Sequence, residues 1–225
     1  MAVANTAAFF RVEGTIVRAG TLSTCAYLAA NRPGLGERML RLGQVALTAP
    51  VYGLLGQNDR SLVNRLAYLP LRHMGQDRVA ELAEEYFDVV LRERLLEQGL
   101  ELLRMCRRQG HRVVLISENL APVVDLLARH LTGIDDYVCN HLEIRDARAT
   151  GRLLEPVVGG HDSGPWASRY AAEHNLDLSH SVAYGGHGPD LLLLASVGHP
   201  CAVNPDLTLR RAARDADWPI VEYRA

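Results

Sequence analysis

The chain has 225 residues, which is enough for one domain or for a core with an inserted subdomain. A hydrophobic content of 48% with 22% charged residues is typical of a globular protein and excludes a disordered one, and a net charge of −2 gives no electrostatic reason to bind nucleic acid. All 24 residues of the Lys+Arg count are arginine, so no lysine is available for chemistry.

The first half of the sequence predicts a strand followed by a helical insertion. Ala7–Val12 is a short apolar run, as expected of a buried strand, and the pattern is helical from about Thr21 to Gln98. One helix face is predicted by apolar residues at three- and four-residue steps: Val79, Leu82, Ala83, Tyr86, Val89 and Val90. We therefore expect a core at about 1–17 and 99–225, with a helical cap at about 18–98.

The most apolar stretch, Leu42–Gly56, lies within this predicted insertion. It is too short to span a bilayer and carries Gln44 and Pro50, so a buried or partly exposed helix is expected, with contact to a membrane surface left open. The sequence predicts no transmembrane segment. Met1–Phe10 lacks the pattern of a secretory signal, and the four cysteines form no close pair, so we expect a cytoplasmic protein with reduced cysteines.

The second half alternates between strand and helix signals. The predicted strands are Arg112–Ser117, Tyr137–Cys139, Ser181–Tyr184, Cys201–Val203 and Ile220–Glu222, with a β-hairpin at Leu142–Leu153. The predicted helices are Leu100–Gln109, Leu120–Leu131, Trp166–His174, Asp190–Ala195 and Leu207–Arg214. This alternation predicts an α/β fold with a parallel sheet, in which ligands bind at the carboxyl ends of the strands.

Four segments, in this order, carry the site motifs. They are Arg11-Val12-Glu13-Gly14-Thr15, the strand ending at Ser117, the loop Gly159–Gly164, and Tyr184 to Asp190 with the sequence YGGHGPD. Their order resembles the haloacid dehalogenase (HAD) superfamily, in particular its phosphoserine-phosphatase-like branch, over nearly the whole chain. The resemblance implies a Rossmann-like parallel core with a helical cap and a phosphatase site at the strand ends.

The first motif departs from the family pattern at its reactive positions. The resemblance implies a nucleophilic carboxylate at Arg11 and an acid/base carboxylate at Glu13, while Gly14 and Thr15 match. A guanidinium has no acceptor atom and cannot be deprotonated in a protein, so Arg11 cannot attack phosphorus. Glu13 keeps its acid/base capacity but is one methylene longer than aspartate.

The later motifs depart in a similar way. The resemblance implies that the Ser117 hydroxyl holds a phosphate oxygen, that a lysine stands at Ser163, and that a metal-binding carboxylate stands at Gly186. Only Asp190 matches in the last motif. Because Mg²⁺ is usually held by one or two carboxylates, we expect no metal and no cofactor, although the family uses Mg²⁺. We expect Arg11 to pair with Asp190 or Glu13 instead.

The first hypothesis is an inactive phosphatase-fold protein, a pseudophosphatase, that binds a small anionic or phosphorylated ligand or a protein partner. The ligand-binding residues are predicted to be Arg11, Gly14, Thr15, Ser117, Glu118, Asn119, Ser163 and His187. The alternative is a HAD-family hydrolase of phosphomonoesters with altered, metal-independent chemistry through Glu13 or His187. A metal site at His161 and His187 is a weaker hypothesis, because the two lack ligand spacing.

Overall fold

The computed structural model describes residues 5–31, 33–56 and 59–223. Its strands are β1 Ala7–Arg11, β2 Arg112–Leu120, β3 Asp136–Asn140, β4 Leu142–Arg145, β5 Arg148–Leu153, β6 Val182–Gly185, β7 His199–Val203 and β8 Ile220–Val221. Six of them form one parallel sheet in the order β3-β2-β1-β6-β7-β8, and β4 and β5 form the predicted antiparallel hairpin. The predicted parallel α/β fold is confirmed.

Helices lie on both sides of the sheet, and the first five of them belong to the chain segment between β1 and β2. They are α1 Thr21–Ala30, α2 Leu35–Leu55, α3 Arg60–Tyr68, α4 Gln76–Tyr86, α5 Glu97–Arg108, α6 Ala121–His130, α7 Ser163–Glu173, α8 Leu191–Ala195 and α9 Leu207–Asp215. The chain between β1 and β2 is helical, as predicted. The division into a core and a cap at residues 18–98 stays a prediction.

Strand β1 is buried on both faces, which explains its continuous apolar sequence. Successive side chains alternate between the faces, so Phe9 packs in one hydrophobic cluster and Phe10 in the other. Phe10 also stacks on Tyr184 of the neighbouring strand, with 4.5 Å between ring centroids. The central strand is therefore fixed from both sides.

The predicted apolar face between Val79 and Val90 was wrong at one residue. Helix α4 ends at Tyr86, and a π-helical turn follows over Phe87–Leu91. A π turn adds a residue per turn and shifts the later side chains around the axis. Val89 is consequently 63% exposed, although the 3.6-residue period placed it inside.

The apolar stretch Leu42–Gly56 forms most of α2, which begins earlier than predicted and contains Pro50. It is partly exposed, since Leu47 and Leu54 are 76% and 77% accessible. Among the helices that the structure describes, none has the length and apolarity needed to cross a membrane. Residues 1–4, which belong to the segment searched for a secretory signal, lie outside the described residues.

The register of the sheet brings the predicted site segments together. Phe10 in β1 is level with Leu115 in β2 and with Tyr184 in β6. Arg11, Ser117 and Gly186 follow these positions at the carboxyl edge of the sheet. Strand β2 runs on to Leu120 with an irregular register after Ile116, so Glu118 and Asn119 belong to the strand.

Candidate functional site

The guanidinium of Arg11 lies at the centre of a polar cluster at this edge. Its Nη2 donates to Glu118 Oε1 at 2.6 Å, its Nε to Asp190 Oδ1 at 2.8 Å, and its Nη1 to the Ser163 hydroxyl at 3.3 Å. All three nitrogens are engaged, and the residue is only 2% exposed. The expected contact with Asp190 is present, whereas Glu118 takes the place that the sequence suggested for Glu13.

Arg11 remains charged in this environment. Burial alone would lower the pKa of its guanidinium, but the neighbouring carboxylates, chiefly Asp190 and Glu118, outweigh burial and raise the pKa above its ordinary value. A permanently charged guanidinium is an excellent donor and no acceptor. Arg11 therefore supplies a fixed positive charge and no nucleophile.

Glu118 connects the sheet to the inserted helices. Its carboxylate accepts from Arg11 on one side and from Arg60 Nε on the other, at 3.0 Å to Oε2 and 3.2 Å to Oε1. Arg60 is the first residue of α3, and its side chain is 12% exposed. Tyr68, in the same helix, donates its hydroxyl to the Glu118 carbonyl at 3.2 Å. Sequence reasoning missed Arg60, because no motif spacing marks it.

Glu13 is held by the end of β2. Its Oε1 accepts from the Ser117 hydroxyl at 2.6 Å, and its Oε2 accepts from the Glu118 N–H at 3.2 Å. The Ser117 oxygen in turn accepts from the Asn119 N–H at 3.1 Å. The Ser117 proton, which was predicted to serve a phosphate oxygen, is therefore donated to Glu13 in this arrangement.

The pKa of Glu13 predicts a pH-dependent stability. Burial raises this pKa above its ordinary value of 4.5, and Arg11 opposes the rise without cancelling it. A carboxyl with a raised folded-state pKa favours folding below its unfolded pKa, and the contribution is lost as the pH rises through the folded pKa. We expect the free energy of unfolding of the wild type, relative to Glu13→Gln, to fall as the pH rises from below the ordinary carboxyl pKa of 4.5 toward neutral. Denaturant unfolding of both proteins across this range measures it; parallel pH profiles would contradict the expectation.

Both carboxylate oxygens of Asp190 accept hydrogen bonds from donors in the protein. Its Oδ1 accepts from Arg11, and its Oδ2 accepts from the N–H groups of Gly186 at 3.0 Å and His187 at 2.9 Å. The residue is 1% exposed. Asp190 thus fixes both Arg11 and the turn after β6.

The residues at this edge do not fit a magnesium ion. Mg²⁺ requires near-octahedral oxygen ligation anchored by carboxylates. The two carboxylates best placed to supply it, Asp190 and Glu118, share the guanidinium of Arg11, and this cation repels a second one. Gly186 offers no side chain, and a Cβ there would lie 2.8 Å from the Val203 carbonyl oxygen.

The loop before α7 gives mixed outcomes. Ser163, at the lysine position, is buried against Arg11, while Arg169, the nearest arginine in the sequence after Ser163, is exposed. His161 and His187 line different cavities. Over residues 5–31, 33–56 and 59–223, no group of three His, Cys, Asp or Glu residues could hold a metal ion.

A cavity of ≈ 350 Å³ opens beside the polar cluster. It is lined by Glu13, Glu118 and Arg60, by His187, and by residues of the connection from β1 to α1. The ring of His187 lies against Gly14, where a Cβ would be 2.9 Å from the His187 Cε1 atom. The volume lies within the range of small-molecule sites.

The end of this cavity at α1 is suited to an anion. The N-cap residue Gly20 makes no side-chain cap, and the first turn of α1 has no acidic residue. Thr21 lines the cavity and is 1% exposed, and its hydroxyl has no hydrogen-bond partner among the described residues. Arg18 also lines the cavity, is exposed, and forms no ion pair within the described part of the chain. Helix N-termini attract negative charge.

The predicted site residues are therefore brought together at one edge of the sheet. Asn119 is fixed by a bond from its Nδ2 to the Thr24 hydroxyl at 2.8 Å, and Gly14 adopts a φ of 84° in the turn that contains Thr15. Thr15 is fully buried. Whether any of these residues binds a ligand stays a prediction.

Comparison with known proteins places the chain among phosphatase-like proteins. The sequence profile of the haloacid dehalogenase-like hydrolases matches residues 8–195. The inhibition of morphological differentiation protein of Streptomyces azureus is 29% identical over 222 residues, covering 97% of this chain and 79% of that protein. Phosphoserine phosphatase SerB1 of Mycobacterium tuberculosis is 28% identical over 221 residues, with coverages of 97% and 71%.

A solved structure of a phosphoserine phosphatase as its phospho-aspartyl intermediate analogue superposes with a TM-score of 0.74. The superposition covers 99% of this chain and 95% of the phosphatase, with 16% sequence identity. Similarity at this level of identity is a similarity of fold.

Proposed function

The chain belongs to the family of haloacid dehalogenase-like hydrolases, and we propose that it is a catalytically inactive member that binds a small anionic ligand. The proposed role of the protein is regulatory, and it would act by binding this ligand or a protein partner. One relative carries a name that describes an inhibition of differentiation, an effect compatible with such a role.

The observation that carries this proposal is the position of Arg11 between Asp190 and Glu118. Covalent phosphoryl transfer needs a nucleophile and compensation of the phosphate charge. At the nucleophile position the guanidinium cannot attack phosphorus, and its charge is already shared by two carboxylates. Ser163 and Gly186 supply neither the ammonium group nor the carboxylate that the family places there.

The ligand we propose is a carboxylate or phosphate group at the α1 end of the cavity. Arg11 is 2% exposed and each of its three nitrogens already contacts a protein acceptor, so little of its guanidinium is open to a ligand. Arg18, the Thr21 hydroxyl and the first N–H groups of α1 provide positive charge and donors instead. This location differs from the Arg11 and Ser117 contacts that the sequence suggested.

The absence of phosphatase chemistry is tested directly. We expect phosphate release from phosphoserine, with or without Mg²⁺, to stay at the level of the uncatalysed reaction. Losing nucleophile and metal removes on the order of several kcal/mol of transition-state stabilisation. An active phosphoserine phosphatase serves as the positive control. Magnesium-dependent turnover by the purified protein would overturn the proposal.

Anion binding is tested by thermal shift with inorganic phosphate, sulfate and acetate. We expect at least one of them to stabilise the wild type, Arg18→Ala to lose most of that response, and Arg18→Lys to keep part of it. Arg92→Ala is a matched control, because Arg92 is an exposed arginine that pairs only with its helix neighbour Asp88 among the described carboxylates. Equal responses of wild type and Arg18→Ala would place the anion elsewhere.

A metal-independent hydrolase is the second candidate. It is favoured by the raised pKa of Glu13, which burial causes, beside a cavity that His187 also lines. A carboxyl with a raised pKa keeps its proton to a higher pH and can act as a general acid. Turnover without Mg²⁺ that disappears in Glu13→Gln would support this candidate against the inactive one.

A further inference from the structure

Helix α2 carries an exposed apolar stripe that plays no part in the cavity or the Arg11 cluster. Three leucines recur every seven residues, Leu40, Leu47 and Leu54, and are 59%, 76% and 77% exposed. Residues seven apart differ by only about 20° around a helix with ~100° per residue, so these side chains leave α2 on the same side. The stripe runs along most of the helix.

Small residues follow the same period on the same side. Leu40 and Leu47 are each preceded, four positions earlier, by an exposed glycine, Gly36 and Gly43, where a Cβ would meet no atom within 4 Å, and Leu54 is preceded in the same way by Pro50. The charged residues of α2 lie outside the stripe: around the helix axis, Glu37 is about 60° from Leu40, Arg41 about 100° and Arg38 about 160°. Val45 also lies away from the stripe and packs in the interior with 8% exposure.

We propose that this stripe is where two copies of the chain pair, α2 against α2 across a two-fold axis near Leu47. Heptad-spaced leucines are the side chains that insert between residues of a facing helix. The same stripe holds both projecting leucines and open positions at Gly36 and Gly43. The leucines of one copy can therefore fill the open positions of the other. Self-complementarity of one patch is what a two-fold interface requires.

The exposed apolar area of the stripe is compatible with a second copy of the chain as the partner. A fully exposed leucine offers on the order of 100 Å² of apolar surface. The three leucines and the adjacent Met39, which is 63% exposed, therefore offer several hundred Å² in each copy. Ala46, also exposed and seven residues after Met39, extends the contact toward the roughly 800 Å² per partner of a standard interface.

A lipid surface fits the stripe less well. Helices that lie on membranes carry a polar face rich in lysine or arginine and are drawn to anionic lipid. The charged side of α2 has two arginines and one glutamate, and the whole chain has a net charge of −2. A second copy of the chain is thus the better match.

Sedimentation velocity and light scattering test the pairing with the full chain. We expect the wild type to form a dimer, and Leu47→Glu to raise the dimer dissociation constant at least about 100-fold, because it introduces two charges at the axis. Leu207→Glu is the matched control: Leu207 is 84% exposed at the start of α9, so this variant should remain dimeric. Circular dichroism checks that each variant is folded.

Three outcomes would overturn the proposal. The first is a wild type that stays monomeric up to about 100 µM. The second is a Leu47→Glu variant that dimerises like the wild type. The third is monomeric wild type that co-sediments with phosphatidylcholine or phosphatidylglycerol vesicles through Leu47, which would assign the stripe to lipid.

Discussion

Replacing Arg11 with methionine should lower the free energy of unfolding by about 3–5 kcal/mol, because removing one partner of a buried ion pair leaves an uncompensated charge. Asp190 and Glu118 are each 1% exposed and would both lose the cation that they share, which leaves Asp190 with only two backbone N–H groups and Glu118 with Arg60. Methionine keeps much of the side-chain volume, so the loss of unfolding free energy reflects the missing charge more than a loss of packing. Denaturant unfolding measures the difference.

Arg92→Met is the control for this experiment. Arg92 and Asp88 form an exposed pair, with side chains 53% and 63% accessible, and such pairs contribute about 0–1 kcal/mol. A loss no larger than that of the control would show that Arg11 does not hold the two carboxylates together.

Replacing Arg11 with aspartate should make stability depend on magnesium. Without metal, we expect this variant to be less stable than Arg11→Met, because it adds a third carboxylate beside Asp190 and Glu118. Saturating Mg²⁺ should then raise its melting temperature by roughly 5 °C, since carboxylate oxygens are the ligands that the ion prefers. The melting temperature of the wild type should not respond.

Arg11→Met with Mg²⁺ is the matched control, because it removes the guanidinium without supplying a ligand. Phosphatase activity should remain absent in the aspartate variant, because Ser163 and Gly186 are unchanged. A wild type that Mg²⁺ stabilises as strongly as the variant would show that the guanidinium does not take the place of the metal.

The sequence by itself determined the fold class and the edge of the sheet at which Arg11, Ser117 and Asp190 lie. Alternating strand and helix patterns are local signals, and they predicted β1, β2 and β6 closely. Parallel strands end at one edge, so Arg11, Ser117 and Asp190 could be placed together before any coordinates. That Arg11 cannot act as a nucleophile also follows from the sequence, because a guanidinium has no acceptor atom.

Local periodicity failed where packing changed the backbone. The π-helical turn after Tyr86 turned Val89 to solvent, and β2 continued past Ser117 through Glu118. Neither feature leaves a signal in residue spacing, because each arises from how the segment fits its neighbours. The exposure of Leu47 belongs to the same class, since an apolar stretch does not say which side will be covered.

Only the tertiary structure decided the partners of Arg11. The sequence offered Asp190 or Glu13, and the folded chain joins Arg11 to Asp190 and Glu118. Glu118 is in turn held by Arg60, which is 58 residues away in the sequence. Such pairs depend on how the inserted helices pack over the sheet, and this packing is set by many distant contacts together. Residue types and spacing indicate the edge of the sheet at which these side chains lie, whereas the long-range packing determines which charged groups form pairs there.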